Sequence, residues 1–540
     1  MPDNGMANLA GVLHAAGHDV LVLDYGTVGM MRRLFPRSVA TALRAARGSA
    51  PDLRVLDREL ELHAEREVAR LGEELCNLVQ SYQPDFVGFK LWHGDGCSGS
   101  VALARSLRRC FPGLFIIGGG PQVTFAIKPV IEHSGCYEPL DDGTFDVLVQ
   151  SEGEDLMPAL AEVAVGRASL AGVPNTLYRE DGRIRIAPVE HVRSLDSLPP
   201  PLYDTDVYPS MGGDSKLHLI TLDESRGCPY NCSFCIQPLI TGHDLRLRSA
   251  RRVVDEMERC VRSYHVGVFR FAGSATPGRL LDEIATEILA RGLQVRYSAF
   301  GRGNNARPDA FSRARQSGLE ALFFGVESGS QRILDEVMNK GVRISKVRET
   351  LKAALGAGIF TVASIIAPAP RETSATWQET LELLADVRPD AVLVSPPGPV
   401  AGTAWYREGE RFGIRIGEGF QEALLSFKFR MLLPADQWQY PEYWVDGKDT
   451  RTIAEETMAA LRQIEELGLL TRVSDDMLLM ARYCHLTPRE FRDQTQRWLC
   501  TGNWEAVAAL VAEMNGAIRE AARAAVAALD DGATALPSVA

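Results

Sequence analysis

Three cysteines within eight residues carry the clearest chemistry in this sequence. In the segment HLITLDESRGCPYNCSFCIQP an apolar run that predicts a strand gives way to a loop bearing Cys228, Cys232 and Cys235. Thiolates are the usual protein ligands of iron–sulfur clusters. Three of them leave one iron of a four-iron cube without a protein thiolate, open to a substrate. A structural zinc site wants four protein ligands, and a fourth exists here only if the fold brings Cys260 or His243 close. A cluster that only carries electrons would want a fourth cysteine. The spacing therefore points to a catalytic [4Fe–4S] cluster with an open site.

The other cysteines, Cys76, Cys97, Cys110, Cys136, Cys260, Cys484 and Cys500, are scattered and read as ordinary buried thiols in a reducing compartment. At 540 residues the chain is long enough for about three domains. Its net charge of −12 disfavours a nucleic-acid partner. No apolar run reaches the ~18 residues of a membrane span, and MPDNGMANLAGVLHAAGHDV lacks the build of a signal peptide. The expectation is a cytoplasmic protein with no membrane partner.

The elements that must position the cysteines are α/β in pattern. In residues 1–185 short apolar runs at 20–23, 86–89, 115–117 and 147–149 alternate with helical stretches. Val68, Leu71, Leu75 and Leu78 recur at helical spacing, as do Val101, Leu103 and Leu107. This predicts a Rossmann-like unit whose first strand is missing, so that either the start is truncated or the sheet is one strand short. A stiff linker at 186–216 carries Pro199, Pro200 and Pro201. Residues 217–416 hold six apolar runs, at 219–222, 268–271, 295–298, 321–326, 361–366 and 392–395, each separated by a helix length. That series predicts a partial (βα)6 barrel. Residues 417–540 turn helical in period and predict a cap on the substrate side, ending in a disordered tail of about ten residues.

C-x3-C-x2-C on the loop after the first barrel strand resembles the radical S-adenosylmethionine (SAM) superfamily, over about 194–416. The resemblance implies that the open iron holds the amino and carboxylate groups of SAM, and that reduction breaks the S–C5′ bond to release a 5′-deoxyadenosyl radical. It implies that Phe234 meets the adenine through its backbone. The family's Gly-Gly-Glu segment is represented only by Ala272-Gly273-Ser274, without the glutamate. It further implies SAM contacts from Glu327, closing the fourth strand, and from Ser298 and Arg302, placed after the third. Each of these has an ordinary alternative as a solvated strand-end residue.

Two loops of the N-terminal unit, GGGPQVTF and QSEGEDLMPAL, follow predicted strands. A glycine-rich turn after a parallel strand lets backbone approach a flat or anionic ligand. Their order with the proline linker and the cysteine loop is similar to the cobalamin-binding class of radical SAM enzymes, over about 8–416. The resemblance implies corrin contacts from Gly118, Gly119, Gly120, Pro121, Gly153 and Glu154, with the loop LWHGDGCSG below the ring. The D-x-H-x-x-G signature of a lower-axial histidine is absent. Trp92 packing under the corrin, and His93 as a solvated residue or a cobalt ligand, are the alternatives there.

Many members of that class are methyltransferases. The implied activity is methylation of an unactivated carbon, or a phosphinate phosphorus, of a small-molecule secondary metabolite. One SAM supplies the methyl group through cobalamin, and a second supplies the radical. The implied partner is a low-potential electron donor such as flavodoxin or ferredoxin. No acid–base triad is required, and none stands out. SPPGPVAGTAWYREGERFG resembles the end segment that walls the substrate site in this class. Trp405, Tyr406, Trp438, Tyr440 and Trp444 are candidate pocket aromatics, with helix packing as the alternative. Rival readings are a non-methylating enzyme of the same class, a methylthiotransferase disfavoured by the lack of a second cysteine set, and a non-catalytic cobalamin- or SAM-binding module.

Overall fold

The computed structural model describes residues 1–46, 51–304, 308–428, 430, 432–434 and 437–530. The expected C-terminal tail lies outside them. Strands β1 (Phe86–Lys90), β2 (Phe115–Gly119) and β3 (Val147–Val149) pair in parallel. An antiparallel hairpin, β4 (Thr176–Glu180) and β5 (Arg183–Ile186), completes a sheet of order β1-β2-β3-β4-β5. Helices Leu53–Tyr82 and Asp95–Cys110 cover one face, and Leu71, Leu75, Val79, Leu103 and Leu107 bury against Ile116 and Leu148. The buried stripe of the first helix continues through Val79 rather than Leu78, which is exposed. A 3.6-residue repeat carries the stripe from 75 to 79 on the same face.

The apolar run at 20–23 is not a strand of this sheet. Val22 donates its N–H to the Val207 carbonyl at 2.7 Å and buries beside the barrel, so the segment is docked on the linker. The scattered cysteines also diverge from expectation. Cys76 and Cys110 form a disulfide between the two packed helices. Cys97, Cys260 and Cys484 are buried, but Cys136 and Cys500 are exposed, the one just past a helix C-cap glycine and the other at a helix end.

Each of the six apolar runs of the central region is one parallel strand: β6 (Ile220–Leu222), then, after a two-stranded ribbon of β7 (Ser225–Arg226) and β8 (Arg246–Leu247), β9 (Val268–Phe271), β10 (Arg296–Arg302), β11 (Leu319–Glu327), β12 (Phe360–Ile366) and β13 (Ala391–Ser395). They pair in sequence order, with helices such as Gly278–Arg291 and Ile344–Gly356 in the connections. This is the expected partial barrel. Its strands read as continuous apolar runs because parallel strands are covered on both faces.

The C-terminal region divides. Strands β14 (Ile414–Ile416), β15 (Tyr443–Val445) and β16 (Lys448–Asp449) stay with the cysteine loop, where Phe412, Tyr443, Val445 and Trp405 pack with Phe234. Helix Thr450–Glu466 stays on that side too, with Ile453 in the same cluster and the Thr457 hydroxyl donating to the Ala367 carbonyl just past β12 at 2.7 Å, but the helices after it do not. Strand β17 (Leu470–Thr471) extends the barrel sheet beside β13. Helix Asp475–Tyr483 then docks on the starting halves of β10 and β11, with Asp475 paired to Arg270 and Arg482 facing Glu320. It therefore closes the end of the barrel opposite the cysteines. No helix among the described residues is long and apolar enough to cross a membrane.

Candidate active site

The cysteine loop spans 227–245 between the two strands of the ribbon. Gly227 turns the chain at φ +84°, and a Cβ there would overlap the Asp244 carbonyl, so only glycine fits. The loop is braced from within: the Cys228 N–H donates to the Gly242 carbonyl at 3.0 Å, and the Cys235 N–H to the Cys232 carbonyl at 3.1 Å. It is also braced from the barrel, since the Ser233 N–H donates to the Met338 carbonyl at 2.8 Å and the Trp405 N–H to the Ser233 carbonyl at 2.9 Å. All three cysteines are half-buried. Burial raises the Cys235 thiol pKa to about 11 in the metal-free chain. Neither candidate fourth ligand is offered by the fold: Cys260 is sealed in the main hydrophobic core and His243 points to solvent on the loop. Three thiols on one braced loop suit a four-iron cluster with an open iron.

Beside the loop stands Arg302, at the end of β10. Its Nη1 lies 4.0 Å from Cys232 Sγ, and its guanidinium stacks 3.4 Å from the Tyr230 ring centroid. Nη2 donates to the Lys340 carbonyl, while Nε is buried without a partner. Lys340 in turn donates to Glu327 at 2.6 Å, both groups nearly buried, and lies 5.7 Å from the Phe234 ring. Glu327 takes φ +67° at the end of β11, next to a register shift. Arg302, Glu327 and Phe234, each implicated by sequence, thus converge around one lysine that sequence reasoning missed. The Phe234 ring packs 5.6 Å from Trp405, itself fully buried with its indole N–H on the Val337 carbonyl. Trp405 is therefore a core residue rather than a pocket wall.

Ala272-Gly273-Ser274 follows β9 as expected. The Gly273 N–H donates to Glu224 Oε2 at 3.0 Å, and Thr276 Oγ1 donates to Oε1 at 2.7 Å. Glu224 is fully buried, and burial raises its pKa. The missing glutamate of the segment is accompanied by a carboxylate delivered from the end of β6 to the same turn. A Cβ at Gly273 would overlap it. The signal for Glu224 was present in the sequence as an acid immediately before the cysteine loop.

Ser298 departs from its expected place. It is not after the third strand but inside it, fully buried, and its hydroxyl donates to Asp475 at 2.7 Å, toward the far end of the barrel. Ser298 belongs to the framework there.

At the C-terminal edge of the N-terminal sheet stand Trp92 and His93 after β1, Gly120 and Pro121 after β2, and Gly153 with Glu154 after β3, while Gly118 and Gly119 are the last two residues of β2 itself. Trp92 is 46% exposed, with Lys90 Nζ 4.8 Å over its ring and His93 beside it at 5.2 Å; burial lowers the His93 pKa. Several of these residues have local reasons for their identity. Gly118 faces Leu148, Leu91 and Phe145, and Gly120, at φ +125°, passes against the Leu91 backbone. Glu154 is engaged by Arg226 at 2.6 Å and so ties the loop after β3 to the ribbon that carries the cysteine loop. Next to Pro121, Gln122 is buried with both side-chain amide atoms unpartnered. An exposed indole and an orphaned amide on one loop edge fit a large planar group carrying amides. Tyr440 stacks with Phe427 at 5.5 Å and with Trp438 at 5.9 Å, and the Phe427 carbonyl approaches Gly94 in the loop after β1. Trp444 stacks under Arg415, and Tyr406 packs with Phe420.

A partial barrel of parallel strands that presents three cysteines from the loop after its first strand is a radical SAM domain, and the model of the Radical SAM superfamily matches residues 225–384. Residues 225–384 thus form a radical SAM domain, with a further α/β sheet ahead of it. The chain is 25% identical over 334 residues to an uncharacterized methyltransferase of Pyrococcus horikoshii, covering 61% of this chain and 70% of the relative. It is 26% identical over 356 residues to the anaerobic magnesium-protoporphyrin IX monomethyl ester cyclase of Cereibacter sphaeroides, covering 62% and 55%. Its fold matches the radical SAM methyltransferase TsrM from Kitasatospora setae, solved with cobalamin and a [4Fe–4S] cluster. The TM-score is 0.60 at 16% identity, over 94% of this chain and 96% of that one.

Proposed function

We propose that this protein is a cobalamin-dependent radical SAM methyltransferase acting on an unactivated carbon of a small molecule. The observation that carries the reading is the joining of the braced cysteine loop to the loops at the edge of the N-terminal sheet, through Arg226 and Glu154. Cys228, Cys232 and Cys235 would hold the cluster, and the loops bearing Trp92, His93, Gly120 to Gln122 and Gly153 would face the corrin. When bound, the cluster supplies the electron that cleaves SAM, and the corrin supplies the methyl group. Arg302, with its unpartnered Nε, is suited to a carboxylate near Cys232. Glu224 fixes the Gly273 turn through the amide N–H, which orients the neighbouring backbone carbonyls for an ammonium. Phe234, backed by Trp405, offers a rigid apolar side for the adenine. The braces on Ser233, itself buried, fix the inner side of the loop against the barrel, and radical chemistry needs such a closed, rigid setting. The likeness in fold to a methyltransferase over nearly the full chain supports methyl transfer, and the cyclase relative motivates the second reading, a non-methylating reaction on the same cofactors.

The two readings separate by products. Anaerobically reconstituted protein, a reductant and methyl-deuterated SAM should be incubated with candidate small molecules. Formation of S-adenosylhomocysteine and 5′-deoxyadenosine together with a trideuteromethylated product is expected. 5′-Deoxyadenosine with a modified but unlabelled product would favour the second reading and contradict the first.

A further inference from the structure

The neck of the cysteine loop is closed by two residue pairs, Ser225 opposite Leu247 and Arg226 opposite Arg246. Two arginines directly across a strand pair repel one another. Here neither side chain reaches water freely: Arg226 is 11% exposed and Arg246 10%. Arg226 is neutralised by Glu154 at 2.6 Å and by Asp223 at 2.7 Å. Arg246 has one close carboxylate among the described residues, Glu152, which accepts two parallel bonds, Nη1 to Oε2 and Nη2 to Oε1, both 2.7 Å. Its other acceptors are the carbonyls of Val192 and Thr241, each at 2.6 Å. Glu152 Oε1 also lies 3.8 Å from Arg226 Nη1, so this one carboxylate faces both cations.

Glu152 does not belong to the barrel. It sits in the loop after β3 of the N-terminal sheet, with the Val192 N–H donating to Oε2 at 2.8 Å and the Asn175 amide donating to its carbonyl at 2.8 Å. The residues it steadies bear directly on the cysteines. Arg246 binds the Thr241 carbonyl, and the next carbonyl in the chain, that of Gly242, receives the Cys228 N–H. Nearby, Ser151 Oγ donates to the Ile240 carbonyl at 2.6 Å. The shape of the loop is therefore set from outside the domain that carries it.

We infer that Glu152 is a positioning residue for the cysteine loop, acting through Arg246 to hold like-charged Arg226 and Arg246 together at its neck. The inference rests on the reading of that loop as the cluster site. Removing the charge of Glu152 leaves Arg246 buried without a carboxylate and opposite another cation, which favours opening of the neck.

The test is amide hydrogen exchange on the full chain, metal-free and reconstituted, with iron release to a chelator measured in parallel. Glu320→Gln is the control, because Glu320 is equally buried and faces Arg296, Arg315 and Arg482 at the far end of the barrel. Glu152→Gln is expected to speed exchange across 227–245 by about tenfold or more and iron release by a similar factor, with Glu320→Gln leaving both near wild type. Removing both charges in Glu152→Gln/Arg246→Gln relieves the repulsion but also gives up the Arg246 bond to the Thr241 carbonyl, and is expected to bring exchange part of the way back, clearly below that of Glu152→Gln. Wild-type exchange in Glu152→Gln, or an equal rise in Glu320→Gln, would overturn the inference. If Glu152→Gln does not fold, the double variant decides: a folded double variant supports the inference, because removing the opposed charge has rescued the chain, and an unfolded one overturns it. A wild-type chain that takes up no cluster would contradict the proposed function, while exchange in the metal-free chain would still decide this point.

Discussion

Arg302 Nη1 lies 4.0 Å from Cys232 Sγ, with the guanidinium stacked on Tyr230 and its far side on the Lys340 carbonyl. A fixed cation beside one cluster ligand stabilises the reduced, more negative state. Replacing Arg302 by Met should lower the midpoint potential by about 60 to 120 mV, roughly 1.4 to 2.8 kcal/mol for one electron. Lysine at the same position keeps the charge but loses the planar stack, so Arg302→Lys should recover part of the shift. Redox titration followed by electron paramagnetic resonance reads both.

The Gly273 turn has no room for a side chain beside Glu224 and Ser225. Gly273→Ala should destabilise the fold by roughly 1 to 3 kcal/mol in urea unfolding. It should also weaken SAM binding measured by calorimetry. Unchanged affinity would remove this turn from the proposed SAM site.

Ser298 gives the opposite expectation. Because its hydroxyl serves Asp475 inside the barrel, Ser298→Ala should lower stability by about 1 kcal/mol and leave SAM affinity within about twofold. Asp475→Asn goes further, since it leaves Arg270 without its buried carboxylate, and should cost about 3 kcal/mol. A large loss of SAM affinity in Ser298→Ala would return that residue to the ligand site.

Glu372, behind the turn after β12, has its pKa raised to about 7 by burial, above the ordinary glutamate value of 4.5, and accepts one bond from the Ala369 N–H. A carboxyl whose folded pKa is raised binds more protons folded than unfolded. Its contribution is then most favourable below about pH 4.5 and is lost as pH rises through about 7. Glu372→Gln should therefore stabilise the protein at pH 8, by on the order of 1 to 3 kcal/mol, and have little effect at pH 5. Thermal melts of both proteins across that range would show the difference; equal melting temperatures at pH 8 would contradict it.

The barrel was legible because each of its six strands is covered on both faces and so appears as an unbroken apolar run. The cysteine loop was legible because its chemistry is local, three thiols and a turn glycine within nine residues. What the sequence concealed depends on distant pairs. Glu152 meets Arg246 across 94 positions, and Lys340 meets Arg302 across 38. Glu154 read as a ligand contact because an acidic glycine-rich loop after a strand suits either role, and only the fold brings Arg226 to it. The run at 20–23 has the composition of a strand, but its partner is the linker at Val207 rather than the sheet. The helices from Asp475 onward looked like part of the cap because amphipathic periodicity reports that a face is buried, not against which end of the barrel.

The central claim is that Cys228, Cys232 and Cys235 hold a cluster that cleaves SAM. Its most direct test is 5′-deoxyadenosine formation by anaerobically reconstituted, dithionite-reduced protein, compared with Cys232→Ala under the same conditions. 5′-Deoxyadenosine and a four-iron electron paramagnetic resonance signal are expected from the wild type, and neither from the variant. Undiminished 5′-deoxyadenosine from Cys232→Ala, or a wild type with no cluster signal and no 5′-deoxyadenosine, would contradict it.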